Sequence, residues 1–239
     1  MPLDGVVEGF RAVKSDAEIE LIRRSVKLNS KAFDNACRQV KPDWTEARLA
    51  AEIEYQMRLL GAERASFETI VASGPRSALP HAQPGAAKLA PDSLIVIDQG
   101  AILDGYASDM TRMAALGRLG KRERNLYRAV LEAQVAAVGA VKAGVKAKSV
   151  DAAARRVLRD HKLDEVFTHS TGHGVGLEIH EGPRLAPEED RPLSAGMVVT
   201  IEPGAYLEGL GGVRIEDMIV VTRTGCEVLT TTPKKIRPL

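Results

Sequence analysis

Five residues suited to binding divalent metal ions are spread over three stretches of the chain. They are Asp98 and Asp109, then His173, then Glu202 and Glu216. Four carboxylates and one imidazole, if they converge, can hold two hard or borderline cations side by side. Such a pair of cations can make a hydrolytic nucleophile from water. The residue types therefore predict a two-metal hydrolytic centre, provided that the fold brings the three stretches together.

The first acidic pair lies in a predicted β-hairpin. Two apolar, β-branched runs flank the dipeptide Asp104-Gly105, which is a strong turn signal. If these two residues form the turn, counting back places Asp98 opposite Thr111. Asp109 then lies on the same face as Asp98, at roughly 7–8 Å between Cα atoms. Two like charges so placed repel each other unless a cation lies between them.

The second acidic pair lies in a similar predicted hairpin. Strands are expected on both sides of the Gly-rich stretch 209–212, and folding about Gly209 brings Glu202 opposite Glu216. Pro203 follows Glu202 and cannot donate to a ladder. The strand pairing is therefore expected to end or bulge beside Glu202, which is a common place for a site.

The histidine lies in the glycine-rich stretch 169–176, whose glycines argue against a helix. In an extended conformation His169 and His173 point to the same face. Taken singly, an Asp at a strand end is more often a turn former, and a lone histidine is more often structural. Two same-face acid pairs inside apolar strands are harder to explain in this way, because burial of an unpaired carboxylate is costly.

Six ordered segments resemble the catalytic domain of Xaa-Pro aminopeptidases and Xaa-Pro dipeptidases (prolidases). The resemblance runs from about residue 9 to about residue 230. It implies the pita-bread fold shared with methionine aminopeptidase and creatinase, an α/β (α+β) pseudo-two-fold antiparallel sheet with helices on the outer face. The segments are 73–81 (SGPRSALPH), 97–100 (IDQG), 104–112 (DGYASDMTR), 171–176 (TGHGVG) with 180–181 (HE), 200–204 (TIEPG) and 212–217 (GVRIED).

The resemblance also implies roles for the five candidate ligands. Asp98 would bind one metal ion, His173 and Glu202 the other, and Asp109 and Glu216 would bridge both. Glu202 would also move a proton from the attacking water towards the leaving nitrogen. Carboxylate-rich ligand sets suit hard cations, so Mn²⁺ is the first expectation, and Co²⁺, Fe²⁺ or Zn²⁺ also fit the ligand types.

Four further residues are candidates for the catalytic site. By resemblance, His81 would donate to the substrate or to the leaving proline nitrogen, His180 would be a second substrate-side histidine, and His169 a further active-site histidine. Arg214 lies two residues before Glu216 and so on the same strand face. A salt bridge that orients a metal ligand or a substrate carboxylate and a purely structural ion pair are equally compatible with that position.

The function implied is removal of an N-terminal residue that precedes proline, so the expected partners are peptides with proline in the second position. Dipeptidase and aminopeptidase are not separated by the sequence, and a homodimer is left open. Methionine aminopeptidase and a non-catalytic binding module of the same fold are the alternatives. Xaa-Pro relatives usually carry a further N-terminal domain. We expect that domain to be absent here, with one catalytic domain over 1–239 and 1–14 as a lead-in segment.

Composition narrows the remaining possibilities. The formal net charge is +1, from 33 Lys and Arg against 32 Asp and Glu, which favours neither nucleic acid nor an acidic membrane as a partner. Cys37 and Cys226 are far apart in sequence and are expected to be reduced thiols. No apolar run approaches the roughly 18 residues of a membrane span, and we expect no signal peptide. The expected location is therefore the cytoplasm.

Helical patterns recur twice along the chain. A capping box at Ser15 begins a predicted helix that runs to about Val40, and a second is expected over 45–60. The plan repeats about one hundred residues later over 121–141 and 149–161. Each pair of helices precedes strands that carry part of the site, which predicts two related halves around a cleft. His161 ends the last helix, where a cation is favourable, and is expected to be structural.

Overall fold

The computed structural model describes residues 5–239, so the first four residues of the expected lead-in segment lie outside the described part. Along the described chain a group of α-helices is followed by a group of strands, and this order occurs twice. The α-helices are α1 Val6–Ala12, α2 Asp16–Gln39, α3 Glu46–Leu59, α4 Lys121–Ala140 and α5 Ala147–Asp160. The strands are β1 Arg64–Ala65, β2 Ile70–Ser73, β3 Ser93–Gln99, β4 Ala101–Leu103, β5 Tyr106–Ala107, β6 Met110–Leu116, β7 Gly172–Gly174, β8 Glu181–Leu185, β9 Val198–Ile201, β10 Gly204–Leu207, β11 Gly211–Arg214, β12 Asp217–Val221, β13 Cys226–Val228 and β14 Arg237–Pro238.

Helix boundaries follow local capping chemistry. Ser15 caps α2, and Glu18 completes the predicted capping box. The Thr45 side chain accepts the Arg48 N–H and caps α3. Helix α5 begins two residues before the predicted Ser149, although the side chain of its N-cap residue, Lys146, does not cap it. Carbonyl oxygens of the loop that precedes β9 accept the first N–H groups of α5 instead, and this tertiary capping is invisible in the helix's own sequence.

A four-stranded sheet, in the order β14-β6-β3-β2, separates two apolar layers. Along β3 the side chains alternate: Ile95 and Ile97 pack in the layer that contains α2 and α3. Leu94 and Val96 pack in the layer that contains α4 and α5. Each of these fully buried side chains stabilises the fold by about 1.5–3 kcal/mol. Asp98 continues the face of Leu94 and Val96, so the alternation directs it towards the second half of the chain.

A five-stranded sheet, in the order β13-β12-β9-β7-β8, forms the other half of the framework. Helices α4 and α5 pack against it and against each other through buried residues such as Val130 and Leu158. Phe33 and Leu49 make the equivalent packing between α2 and α3. The predicted recurrence of a helix pair on strands is therefore present in the described residues.

Both predicted hairpins have the expected register. Leu103 pairs with Tyr106, and Asp98 pairs with Thr111. The turn residues Asp104 and Gly105 have φ of 50° and 78°, as a tight two-residue hairpin turn requires. Ser108 and Asp109 interrupt the second strand of this hairpin.

The second hairpin is also interrupted where the sequence predicts it. Gly204 pairs with Arg214, and Ile201 pairs with Asp217, so the fold centres on Gly209. The two residues between these pairs on each strand lie outside the ladder, Glu202 and Glu216 among them. Both acids therefore sit at a break in strand pairing.

Within the described residues, none of the helices is long and apolar enough to cross a membrane. The cytoplasmic location stays a prediction. Cys37 and Cys226 are free thiols, as expected.

Candidate metal centre

The five predicted ligands line one cavity of about 900 Å³. Asp98 extends from β3, Asp109 precedes β6 and His173 lies in β7. Glu202 follows β9, and Glu216 lies between β11 and β12. Asp109, Glu202 and Glu216 thus lie where a strand ends or is interrupted, whereas Asp98 is paired near the end of β3 and His173 is paired beside a register shift in β7.

Short distances join the ligands from different stretches. The His173 Nε2 atom lies 3.3 Å from Glu202 Oε1 and 3.6 Å from Asp109 Oδ2. Asp109, His173 and Glu216 each offer a ligand atom within 4.8 Å of the others. The tertiary fold therefore brings together residues from all three stretches of sequence.

Burial and mutual repulsion shift the pKa values of the acids in this cluster. Burial, with the negative charge of neighbouring carboxylates, raises the pKa of Asp98 and raises the pKa values of Asp109 and Glu216 well above their usual range. Burial would also raise the pKa of Glu202, but the hydrogen bond and charge of His173 outweigh it and lower that pKa to about 2. The site holds more negative charge than its own cations balance, which is the condition that a divalent cation relieves.

Two further observations test whether the residues fit metal ions. Asp98 Oδ1 and Glu216 Oε1 are buried and have no hydrogen-bond partner among the described residues. Nδ1 of His173 lies 3.0 Å from the carbonyl oxygen of Gly174 and must be the donor there, so Nε2 is the ring nitrogen that faces the carboxylates and that binds a metal ion once it has lost its proton. Unpaired buried oxygens and an imidazole nitrogen that faces them are the groups that a metal ion satisfies, so the donor set fits divalent cations.

Arg214 connects the ligands to the surrounding structure. Its Nη2 donates to Asp98 Oδ2 at 2.7 Å, and its Nε donates to Thr111 Oγ1 at 3.0 Å. Thr111 in turn donates to Glu216 Oε2 at 2.7 Å. Of the roles left open by the sequence, orientation of a metal ligand is the one that this geometry supports. Thr111 was missed as a site residue, although the predicted register placed it opposite Asp98.

Tyr206 is a second residue that the sequence reasoning missed. Its buried hydroxyl accepts a hydrogen bond from Arg214 Nη1 at 2.9 Å and lies 2.8 Å from His169 Nε2. The Nδ1 of His169 lies 2.8 Å from the carbonyl oxygen of Ser170 and so carries a proton, which makes the neutral Nε2 the acceptor of the tyrosine proton. The available signal was a tyrosine inside a buried strand, because a buried phenol needs a polar partner.

The three remaining candidate histidines also line the cavity. The rings of His180 and His173 have centroids 4.4 Å apart. Burial lowers the pKa values of His169 and His180, and the neighbouring His173 lowers that of His180 further. The loop before His81 is held by Arg214 Nη1, which donates to Pro80 O at 3.0 Å. His161 lies at the end of α5 and pairs with Glu132 outside the cavity, consistent with a structural role.

Other walls of the cavity differ in chemistry and were not predicted. Phe67 and Ile70 supply apolar surface, and Arg184 and Arg191 supply positive charge. Among the described residues, neither of these two guanidinium groups forms an ion pair with a carboxylate.

Comparison with known proteins decides the family. Residues 20–223 match the model of metallopeptidase family M24. The chain belongs to metallopeptidase family M24. It is therefore a peptidase, and the divalent-metal chemistry of the family agrees with the acidic cluster.

Individual M24 relatives cover nearly all of this chain. A Xaa-Pro dipeptidase of Pyrococcus furiosus is 42% identical over 234 residues, which are 98% of this M24 chain and 67% of the relative. An uncharacterized peptidase of Bacillus subtilis, YqhT, is 39% identical over 99% of this chain and 67% of its own length. This chain thus spans about two thirds of the length of these relatives.

Solved structures give the same result for the fold of this M24 chain. An X-Pro aminopeptidase from Thermotoga maritima is 43% identical, has a TM-score of 0.97, and is matched over 99% of this chain and 67% of its own. The prolidase from Pyrococcus furiosus has a TM-score of 0.94 at 43% identity, over 97% of this chain and 68% of that one. The expected pita-bread fold is confirmed.

Proposed function

We propose that this chain is a dinuclear-metal-dependent exopeptidase that hydrolyses the bond between an N-terminal residue and proline. The observation that carries the proposal is the convergence of Asp98, Asp109, His173, Glu202 and Glu216 on one cavity, with buried carboxylate oxygens that lack hydrogen-bond partners among the described residues. The relatives named Xaa-Pro dipeptidase and X-Pro aminopeptidase, at 42–43% identity, support proline in the second position of the substrate.

The residues divide the work by position. Asp98, with His173 and Glu202 opposite it, would hold two divalent ions, and Asp109 and Glu216 would bridge them. Bound ions would supply Lewis acidity and lower the pKa of a coordinated water. We assign Mn²⁺ to the site because its ligands are mostly carboxylates.

Proton movement is assigned to side chains at the cavity wall. Glu202 accepts the proton of the attacking water and passes it towards the leaving nitrogen of proline. His81 and His180 donate hydrogen bonds to the substrate around the scissile bond. His169 acts indirectly, through its hydrogen bond with the Tyr206 hydroxyl. Arg214 fixes Asp98, so that the carboxylate does not have to reorganise during the reaction.

The positive wall favours a dipeptide over a longer peptide. Arg184 and Arg191 line the cavity without carboxylate partners in the described part of the chain, and a free C-terminal carboxylate of a Xaa-Pro dipeptide is a fitting ligand for a guanidinium group. A longer substrate would present a neutral amide at the same place.

A substrate-length series tests the proposal. The Mn²⁺-loaded chain is incubated with Xaa-Pro dipeptides and with Xaa-Pro-Yaa tripeptides, and bound metal is measured in parallel. Turnover of the dipeptides above that of the tripeptides is expected. No turnover of either, with two ions bound per chain, contradicts the exopeptidase assignment, and release of methionine from Met-Ala-Ser alone would point to methionine aminopeptidase. A chain that binds no metal under metal-replete conditions would instead be a binding module. A homodimer stays a prediction that analytical ultracentrifugation tests.

A further inference from the structure

A buried ion-pair cluster lies directly beside the cavity, outside the ligand set. Glu181 Oε1 accepts from Arg11 Nη2 at 2.6 Å, and Glu181 Oε2 accepts from Lys14 Nζ at 3.0 Å. The side chains of Lys14 and Glu181 are 2% and 6% exposed. Charges removed from water to this extent are costly unless paired, so each of these two groups depends on the other.

The Glu181 carboxylate also fills the inside of the turn that carries His180. Its Oε1 accepts the backbone N–H of Glu178 at 3.1 Å. Gly176 lies so close beneath it that an added Cβ would be 2.7 Å from Glu181 Oε2. The backbone of Glu181 pairs with Gly174, which follows His173. The backbone of Glu181 therefore closes the turn 174–181 against Gly174, and its carboxylate holds Glu178 and packs over Gly176 within the turn.

His180 depends on this turn for its position. Its ring packs against the His173 ring at a centroid distance of 4.4 Å, and it lines the cavity. Hydrogen bonds fix the rings of His169 and His173. Among the described residues, no such hydrogen bond reaches the imidazole of His180. Backbone placement is therefore what directs this ring towards the substrate.

The cationic partners of Glu181 are themselves fixed to the framework. Lys14 N donates to Gly196 O at 2.9 Å, and Val13 forms an isolated β-bridge with Met197, just before β9. The chain from α1 to α2 is thus anchored beside the sheet that carries Glu202. Through Lys14, the position of the Glu181 carboxylate is set relative to the metal-binding residues.

We propose that Glu181, held by Lys14 and Arg11, is a positioning residue that directs His180 into the active-site cavity. The inference rests on the proposed Xaa-Pro hydrolysis and assigns the segment 11–14 to the support of that site. Glu181 acts through His180 and does not itself react.

A double-mutant cycle with Xaa-Pro dipeptides tests this assignment. E181Q alone is expected to lower kcat/KM about tenfold to a hundredfold, because a misplaced group of this kind loses its alignment with the reacting atoms. In the H180A background the same substitution is expected to change kcat/KM by less than twofold. If the factors by which the two single substitutions lower kcat/KM multiply in the double variant, the proposal is overturned. A structural or direct role of Glu181 would not depend on His180.

Matched variants distinguish loss of the Lys14–Glu181 ion pair from a general loss of stability. K14M is expected to lower kcat/KM as E181Q does. K14R is expected to retain most of the parent activity because it keeps the positive charge. E227Q is the control: Glu227 pairs with Arg23 at 2.5 Å on an exposed surface away from the cavity, and wild-type kinetics are expected. K14R activity as low as that of K14M would contradict the proposed pairing.

Hydrogen exchange provides a readout that does not need turnover. In the metal-free protein, E181Q is expected to speed exchange of the amides at 176–180, with E227Q unchanged. Unchanged exchange in E181Q overturns the proposal. If E181Q does not fold, E181D takes its place in both measurements. Absence of turnover in the unsubstituted chain contradicts the proposed function, and the exchange result still decides the positioning role.

Discussion

Arg214 Nη2 lies 2.7 Å from Asp98 Oδ2, which joins the two hairpins of the molecule at the metal site. The pair is buried, with side-chain exposures of 4% for Arg214 and 12% for Asp98. The same guanidinium also donates to Thr111, Tyr206 and Pro80. Arg214 thereby fixes the metal ligand Asp98, the Tyr206 hydroxyl that contacts His169, and the loop before His81.

The first prediction concerns the geometry of this guanidinium. In R214K the charge remains, but an ammonium group cannot make the planar set of contacts to Asp98, Thr111 and Tyr206. Since groups that orient metal ligands typically contribute 10–100-fold, we expect kcat to fall by about that factor. Metal content and steady-state kinetics of the purified variant provide the check, and wild-type kcat in R214K would contradict the orienting role.

The second prediction concerns the missed tyrosine. Y206F removes the hydroxyl between His169 and Arg214 and leaves the ring in place. We expect kcat to fall several-fold and the free energy of unfolding to fall by about 1–3 kcal/mol, because buried partners lose a hydrogen bond.

Y106F is the matched control for this substitution. The Tyr106 hydroxyl donates to Glu18 at 3.0 Å away from the metal-binding residues, so the change should leave kcat as it is. An equal loss of kcat in both variants would show that Tyr206 has no special part in the site.

The third prediction is that a carboxylate needed for metal binding lowers the stability of the metal-free chain. E216Q replaces a carboxylate whose pKa is raised by burial and by Glu202 and Asp98, and it removes repulsion inside the cluster. The metal-free variant is expected to be more stable than the metal-free parent, by roughly 0.5–2 kcal/mol, and to bind fewer ions. Thermal unfolding with chelator, together with elemental analysis, measures both.

E46Q is the control for this stability effect. Glu46 is also a fully buried acid, but it accepts from Ser73 N at 2.9 Å and from Arg76 Nε at 3.0 Å. Its substitution is expected to destabilise the chain by about 1–3 kcal/mol, since its donors lose a charged acceptor. Stabilisation in E46Q, or none in E216Q, would contradict the view that the metal cluster is strained by charge.

The fourth prediction is a pH dependence away from the site. Burial raises the pKa of the Cys37 thiol from its ordinary value of 9.0 to about 12. The folded chain therefore keeps a proton that the unfolded chain loses, so this contribution to stability is complete below pH 9 and is lost as pH rises from 9 towards 12. Denaturant titrations of the parent and C37A over that range test it: C37A should lose less stability with rising pH, and identical slopes would rule out this source.

Local patterns sufficed for helices α2, α3 and α4 and for the registers of the two hairpins that carry the acids. The capping box at Ser15 and the Asp104-Gly105 turn are local interactions, so α2 and the pairing of Asp98 with Thr111 follow from neighbouring residues. The same holds for the break beside Pro203. The early start of α5 could not be predicted, because its first N–H groups are satisfied by a loop some forty residues away.

The sequence by itself determined the kind of chemistry: residue types and two-residue periodicity indicated four carboxylates and a histidine with same-face acid pairs. Only the tertiary structure decided how those residues are supported. Thr111, Tyr206 and the Lys14–Glu181 pair act across contacts between segments 37 to 167 residues apart. Such contacts depend on how sheets and helices pack, and no local pattern of hydrophobicity, turn residues or charge encodes that packing.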